Sequence, residues 1–139
     1  MPTHAALRTN ERIPISLVDD DTALRRKLQL LLSASNYDVR AYSTPETLLA
    51  DPELRNSACL MSDLNMPGMD GFTLLRSLRA GGWSGPAILI TSSQDADLPA
   101  KASAEGFHSV LIKPLADRLV LEAVRNAIRN TQSIEPKAA

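Results

Sequence analysis

The chain holds a single cysteine, Cys59. One thiol cannot close an internal disulfide or build a multi-cysteine metal site. Its place in the apolar run Ala58-Cys59-Leu60-Met61 makes it a small core residue. No apolar run approaches the roughly 18 residues that a membrane span needs. The opening MPTHAALRTNERIP carries no apolar segment of the kind a secretory signal requires. A cytoplasmic location away from membranes is therefore expected. An excess of one charge is also lacking: 15 Lys and Arg stand against 16 Asp and Glu, a formal net charge of −1. That balance gives no reason to expect direct nucleic-acid contact. Neither GxGxxG nor GxxxxGK(S/T) occurs, which weighs against a nucleotide or flavin binder. Internal repeats and low-complexity blocks are missing too.

What is present fits one domain. At 139 residues the chain can bury a single core. Residues 1–13 read as a flexible leader and 131–139 as a flexible tail, leaving 14–130 as the folded unit. Within it, short apolar runs alternate with helical patterns. Ile15–Val18, Tyr37–Tyr42, Ala58–Ser62, Ala87–Ile90 and Val110–Ile112 read as strands. Helices are expected over 23–34, from Thr44-Pro45 onward, over 71–80, 98–105 and 116–129. Leu24, Leu28, Leu31 and Leu32 mark the buried stripe of the first, with Arg25, Arg26 and Lys27 between them. Leu119, Ala123 and Ile128 are core candidates in the last. The third to fifth strands are near-continuous apolar runs, as in a parallel sheet covered on both faces. The expected fold class is α/β, a doubly wound sandwich.

In such folds ligands bind beyond the carboxyl ends of the strands. Those positions hold Asp19-Asp20-Asp21 after the first strand, Asp63 after the third, Thr91-Ser92-Ser93 after the fourth and Lys113-Pro114 after the fifth. Taken singly, each has an ordinary reading: an Asp there is commonly a turn or cap residue, and Asp21 is placed to cap the helix that follows. Taken together they put carboxylates, a hydroxyl and an ammonium on one edge. Clustered carboxylates repel one another unless a cation neutralises them. Oxygen ligands without His or Cys favour Mg²⁺ or a similar hard cation. His4 and His108 lie outside this set. An Asp beside such a cation can attack phosphorus to give an acyl phosphate.

Four segments, LVDDD at 17–21, SDLNMPGMDG at 62–71, ILITSS at 88–93 and VLIKPL at 110–115, resemble in order and spacing the receiver domain of bacterial two-component response regulators. The resemblance covers about residues 14–130. It implies a flavodoxin-like five-stranded parallel sheet of order 2-1-3-4-5, with Asp63 as phosphoacceptor. It also implies that Asp19, Asp20, Asp63 and the backbone carbonyl of Asn65 hold Mg²⁺, that Thr91 follows the phosphoryl group, and that Lys113 pairs with it. The Lys113–Pro114 bond is expected to be cis. A sensor histidine kinase or phosphotransfer protein would supply the phosphoryl group, and a downstream target or an effector domain would read it. A homodimer is compatible with the family. Such a chain promotes its own phosphorylation and dephosphorylation and is not expected to be an enzyme with a separate substrate.

One position departs from the family pattern. Val110 stands three residues before the lysine, where an aromatic often pairs with the threonine in switching. The nearest aromatic, Phe107, is expected to pack under the last helix. The helix over 98–105 has few large apolar residues and is expected to be the least stable and part of the output surface. Two other classes compete. An aspartyl phosphohydrolase would need a second Asp two residues after the nucleophile, and Asn65 occupies that place. A receiver-like interaction module that works without phosphorylation would not need the full Asp/Asp/Asp/Thr/Lys set.

Overall fold

The computed structural model describes residues 12–138, with side chains described through Asn130. Five strands, β1 (Ile13–Val18), β2 (Tyr37–Tyr42), β3 (Cys59–Asp63), β4 (Ala87–Thr91) and β5 (Ser109–Ile112), alternate with five α-helices. The helices are α1 (Thr22–Ala34), α2 (Pro45–Ala50), α3 (Gly71–Ala80), α4 (Leu98–Glu105) and α5 (Asp117–Ala138). A 3₁₀ turn, Pro52–Asn56, sits between α2 and β3. All four strand pairings are parallel and the order is β2-β1-β3-β4-β5. The doubly wound α/β sheet read from the apolar runs is the one observed.

Local chemistry starts most of the helices where the sequence places them. Asp21 Oδ1 accepts the N–H groups of Ala23 and Leu24 and caps α1. Thr44 caps α2, with Pro45 in its first turn. Asp70 caps α3 through the Thr73 N–H at 2.8 Å. In contrast, Asp97 makes no side-chain cap bond for α4.

Strand side chains alternate between two cores. Along β4, Ala87 and Leu89 enter one cluster and Ile88 and Ile90 the other. The first cluster lies under α2, α3 and α4 and includes Leu48, Phe72, Leu75 and Ala102. The second lies under α1 and α5 and includes Leu28, Leu32, Val120 and Val124. Burial on both faces explains why β3 and β4 have no exposed residue.

Four expectations change. α5 runs to Ala138, so the backbone of 131–138 is helical where a tail was expected from residue 131. No glycine interrupts that stretch, and Pro136, which lacks the N–H that a helix interior needs, comes only shortly before the helix ends at Ala138. Within α5 the buried stripe is Val120, Val124, Ala127 and Ile128, whereas Leu119 is 48% exposed. Phe107 packs with Phe72 (ring centroids 6.0 Å apart) in the α2–α4 layer rather than under the last helix. The leader expected over 1–13 lies outside the described residues up to residue 11, and Ile13 already belongs to β1.

Candidate functional site at the carboxyl edge of the sheet

Strand register brings the site together. Val18 pairs with Ser62, so the next residues along β1 and β3, Asp19 and Asp63, lie level. Asp63 pairs with Ile90, and Thr91 follows. Thr91 pairs with Ile112, and Lys113 follows. Residues far apart in sequence thus meet at one edge because parallel strands end together.

Asp19 has no exposed surface and Asp63 is 5% exposed, while Asp20 is open to solvent. One carboxylate oxygen from each of Asp19, Asp20 and Asp63 lies within 4.8 Å of the other two. Lys113 Nζ stands 3.5 Å from Asp63 Oδ2 and 3.7 Å from Asp19 Oδ2. Burial lifts the Asp19 carboxyl to about 6, with Asp63 and Asp20 adding repulsion against the lowering effects of the Asp21 N–H bond and Lys113. Burial also raises the Asp63 carboxyl, against the attraction of Lys113.

This donor set fits a hard divalent cation. The lining oxygens are carboxylates, with no nitrogen or sulfur ligand among them. Asp19 Oδ2 is buried without a hydrogen-bond partner, and the Lys113 ammonium 3.7 Å away compensates a buried carboxylate oxygen only in part. Asn65 lies on the loop after Asp63 and is exposed.

Gly71 closes the loop that follows Asp63. Its N–H donates to Leu64 O at 2.8 Å, and a Cβ there would stand 2.7 Å from Asp63 O. No side chain fits at that approach, so the glycine lets α3 begin directly beneath the acidic residue.

Thr91 is fully buried, and its Oγ1 accepts the Ser93 N–H at 3.0 Å. A hydroxyl that accepts one bond can still donate its own proton. Val110 is half-buried and packs against the cluster that holds Phe107 and α4. The Lys113–Pro114 bond is cis, as the resemblance implied. Lys113 N–H also donates to Thr91 O at 2.8 Å, tying the two loops together.

One contact was not foreseen. Arg25 Nη1 donates to the Asp19 carbonyl at 2.8 Å. In the sequence Arg25 is indistinguishable from its neighbours Arg26 and Lys27. The available signal was its place one helical turn after the acidic cluster.

The chain is similar to known proteins in sequence and in fold. Residues 15–125 match the family described as the response regulator receiver domain. The chain is 31% identical over 118 residues to the transcriptional regulatory protein FixJ of Azorhizobium caulinodans, covering 85% of this chain and 56% of that protein. It is 34% identical over 112 residues to the C4-dicarboxylate transport transcriptional regulatory protein DctD of Rhizobium meliloti, covering 80% of this chain and 24% of that one. Among solved structures, a FixJ N-terminal domain superposes with a TM-score of 0.75 at 30% identity, covering 86% of this chain and 95% of that one. The chain spans between a quarter and about three fifths of the length of the first curated relatives it matches. Among the described residues no helix is long and apolar enough to cross a membrane.

Proposed function

The chain belongs to the response regulator receiver domain family, and from that premise we propose that Asp63 is its phosphoacceptor, with Asp19, Asp20, Asp63 and the Asn65 carbonyl as the ligands of a Mg²⁺ ion. The observation that carries this reading is the convergence of three carboxylates and Lys113 at one edge, with Asp19 Oδ2 buried and lacking a hydrogen-bond partner. Bound Mg²⁺ would neutralise the carboxylates and the incoming phosphoryl oxygens.

The protein's own groups divide the rest of the chemistry. An Asp63 oxygen attacks phosphorus in line. A P–O bond forms as the P–N bond to a partner's phosphohistidine breaks. The bonding pair leaves on the imidazole nitrogen, which takes a proton from water. Lys113, which now faces Asp63 Oδ2, turns its charge to the phosphoryl oxygens. Thr91 donates its hydroxyl proton to the phosphoryl group, a contact available only in the modified state, so it biases a conformational equilibrium. With Val110 in place of an aromatic, that bias passes through the Thr91–Ser93 turn and the Lys113–Thr91 backbone bond.

A sensor histidine kinase or phosphotransfer protein is the proposed donor. A downstream target or effector domain is the proposed reader, and a homodimer is one arrangement for it. In this scheme the chain is a phosphoacceptor that speeds its own gain and loss of phosphate.

The test is incubation with Mg²⁺ and acetyl phosphate, followed by intact mass and by acid and base stability. The expected product is one acid-stable, base-labile phosphoryl group, lost in Asp63→Asn. Equal labelling of the Asp63→Asn protein, or none in wild type, would overturn the assignment.

A further inference from the structure

We propose that Arg25 is a positioning residue for the cation site, holding the peptide between Asp19 and Asp20 so that both carboxylates stay in ligating geometry. This rests on the reading of Asp19, Asp20 and Asp63 as the cation's ligands.

The two acidic residues are not equally restrained. Asp19 still belongs to the sheet edge: its N–H donates to Tyr42 O at 3.2 Å, and its Oδ1 accepts the Asp21 N–H at 2.9 Å. Asp20 is exposed and sits beyond the last paired residue of β1. The orientation of its side chain therefore follows the plane of the peptide that joins it to Asp19. Arg25 Nη1 grips the carbonyl of that peptide at 2.8 Å. A guanidinium donor makes this bond stronger than a neutral one would.

The grip is closed on itself. Arg25 is anchored in the first turn of α1, its own N–H bonded to Asp21 O at 2.9 Å. Asp21 caps that turn and also donates to Asp19 Oδ1. Asp19, Asp21 and Arg25 thus form one ring of bonds around the acidic loop. Arg25 takes a carbonyl rather than a carboxylate, which leaves the Asp19 Oδ2 and Asp20 oxygens available to a metal. Groups that orient ligating residues commonly control metal affinity by an order of magnitude.

Charge and positioning predict opposite signs. A guanidinium beside a cation site repels the cation, so if charge were its only effect, removing it would tighten Mg²⁺ binding. If Arg25 positions the loop, removing it weakens binding.

The experiment is a calorimetric Mg²⁺ titration of the full chain without phosphodonor, with urea midpoints measured in EDTA. Arg25→Gln is expected to weaken Mg²⁺ binding about tenfold. Arg25→Lys is expected to recover part of the loss, because an ammonium offers the carbonyl one donor. Arg26→Gln removes the same charge from an exposed neighbour and is expected to stay within about twofold of wild type. Binding by Arg25→Gln as tight as wild type, or tighter, overturns the proposal. If Arg25→Gln does not fold, Arg25→Lys carries the test: weaker binding supports the proposal and unchanged binding overturns it. No Mg²⁺ binding by wild type, or wild-type binding by Asp20→Asn, brings down the ligand reading and this proposal with it. Wild-type binding with an unaffected Arg25→Gln brings down the role of Arg25 alone.

Discussion

In the absence of Mg²⁺, replacing Asp19 by Asn is expected to stabilise the fold. Asp19 is fully buried, and its carboxyl is raised from 3.8 to about 6. In the window between those values the folded protein binds more protons than the unfolded chain. Stability therefore falls as pH rises through the window, and the full penalty is present above it. A shift of about two units is about 3 kcal/mol at roughly 1.4 kcal/mol per unit. Exposed Asp20 and partly exposed Lys113 admit solvent at the mouth of the site, so screening reduces this to about 1–2 kcal/mol. Asparagine keeps an oxygen to accept the Asp21 N–H and has no charge to bury. Urea unfolding followed by Trp83 fluorescence suits the measurement, since that indole is 8% exposed. In EDTA at pH 7.5 the Asp19→Asn midpoint is expected to rise by about 1 M, taking a urea slope of roughly 1–2 kcal/mol per molar. The gain should shrink as pH falls toward 4, where the wild-type carboxyl is itself neutral. Saturating Mg²⁺ should reverse the order, because only wild type gains the full binding free energy. An Asp19→Asn protein less stable than wild type in EDTA at pH 7.5, or a gap that does not change with pH, would refute the reasoning.

Other outcomes follow from contacts elsewhere in the fold. Gly71→Ala places a methyl against Asp63 O and Leu89 and is expected to cost about 1–3 kcal/mol. It should also slow phosphorylation by acetyl phosphate, whereas Gly81→Ala, where the nearest atom is 3.5 Å away, should change the rate little. Arg76→Gln breaks a two-bond pair with Glu105 that ties α3 to α4. Global stability should shift by no more than about 1 kcal/mol, since the pair is at the surface. Amide exchange in α4, which lacks a side-chain cap, should speed up while α1 is unaffected. Tyr42, buried in part and donating to Asp51 Oδ2 at 2.7 Å, is pushed up to about 12. A phenolate titration should show this value fall in Asp51→Asn, and Tyr42 should cost stability only as pH rises above about 10.

Much of the fold was legible because its signals are local. Apolar runs of strand length and the helix starts at Asp21 and Thr44-Pro45 each act within a few residues. The last helix shows the limit. In α5, Leu119 and Ala123 lie at helical spacing, and so do Val120, Val124 and Ala127. Either stripe makes an amphipathic helix, and docking on the sheet selects the second. The helical run past residue 130 was missed because a short polar stretch that contains a proline, Pro136, reads as a tail.

The sequence by itself determined the kind of chemistry at this edge. Acidic, hydroxyl and ammonium groups stand immediately after strand-forming runs, and the period of those runs is an intrinsic property of the chain. Which groups meet was decided only by the tertiary structure. The order β2-β1-β3-β4-β5 sets Asp19 level with Asp63, brings Thr91 and Lys113 beside them, and leaves Asp19 Oδ2 buried without a hydrogen-bond partner. The same packing sends Phe107 to Phe72, ties Thr91 Oγ1 to Ser93 and turns Arg25 back onto Asp19. Each of these depends on directions in space, and in this chain a direction is fixed only once the strands have chosen their neighbours.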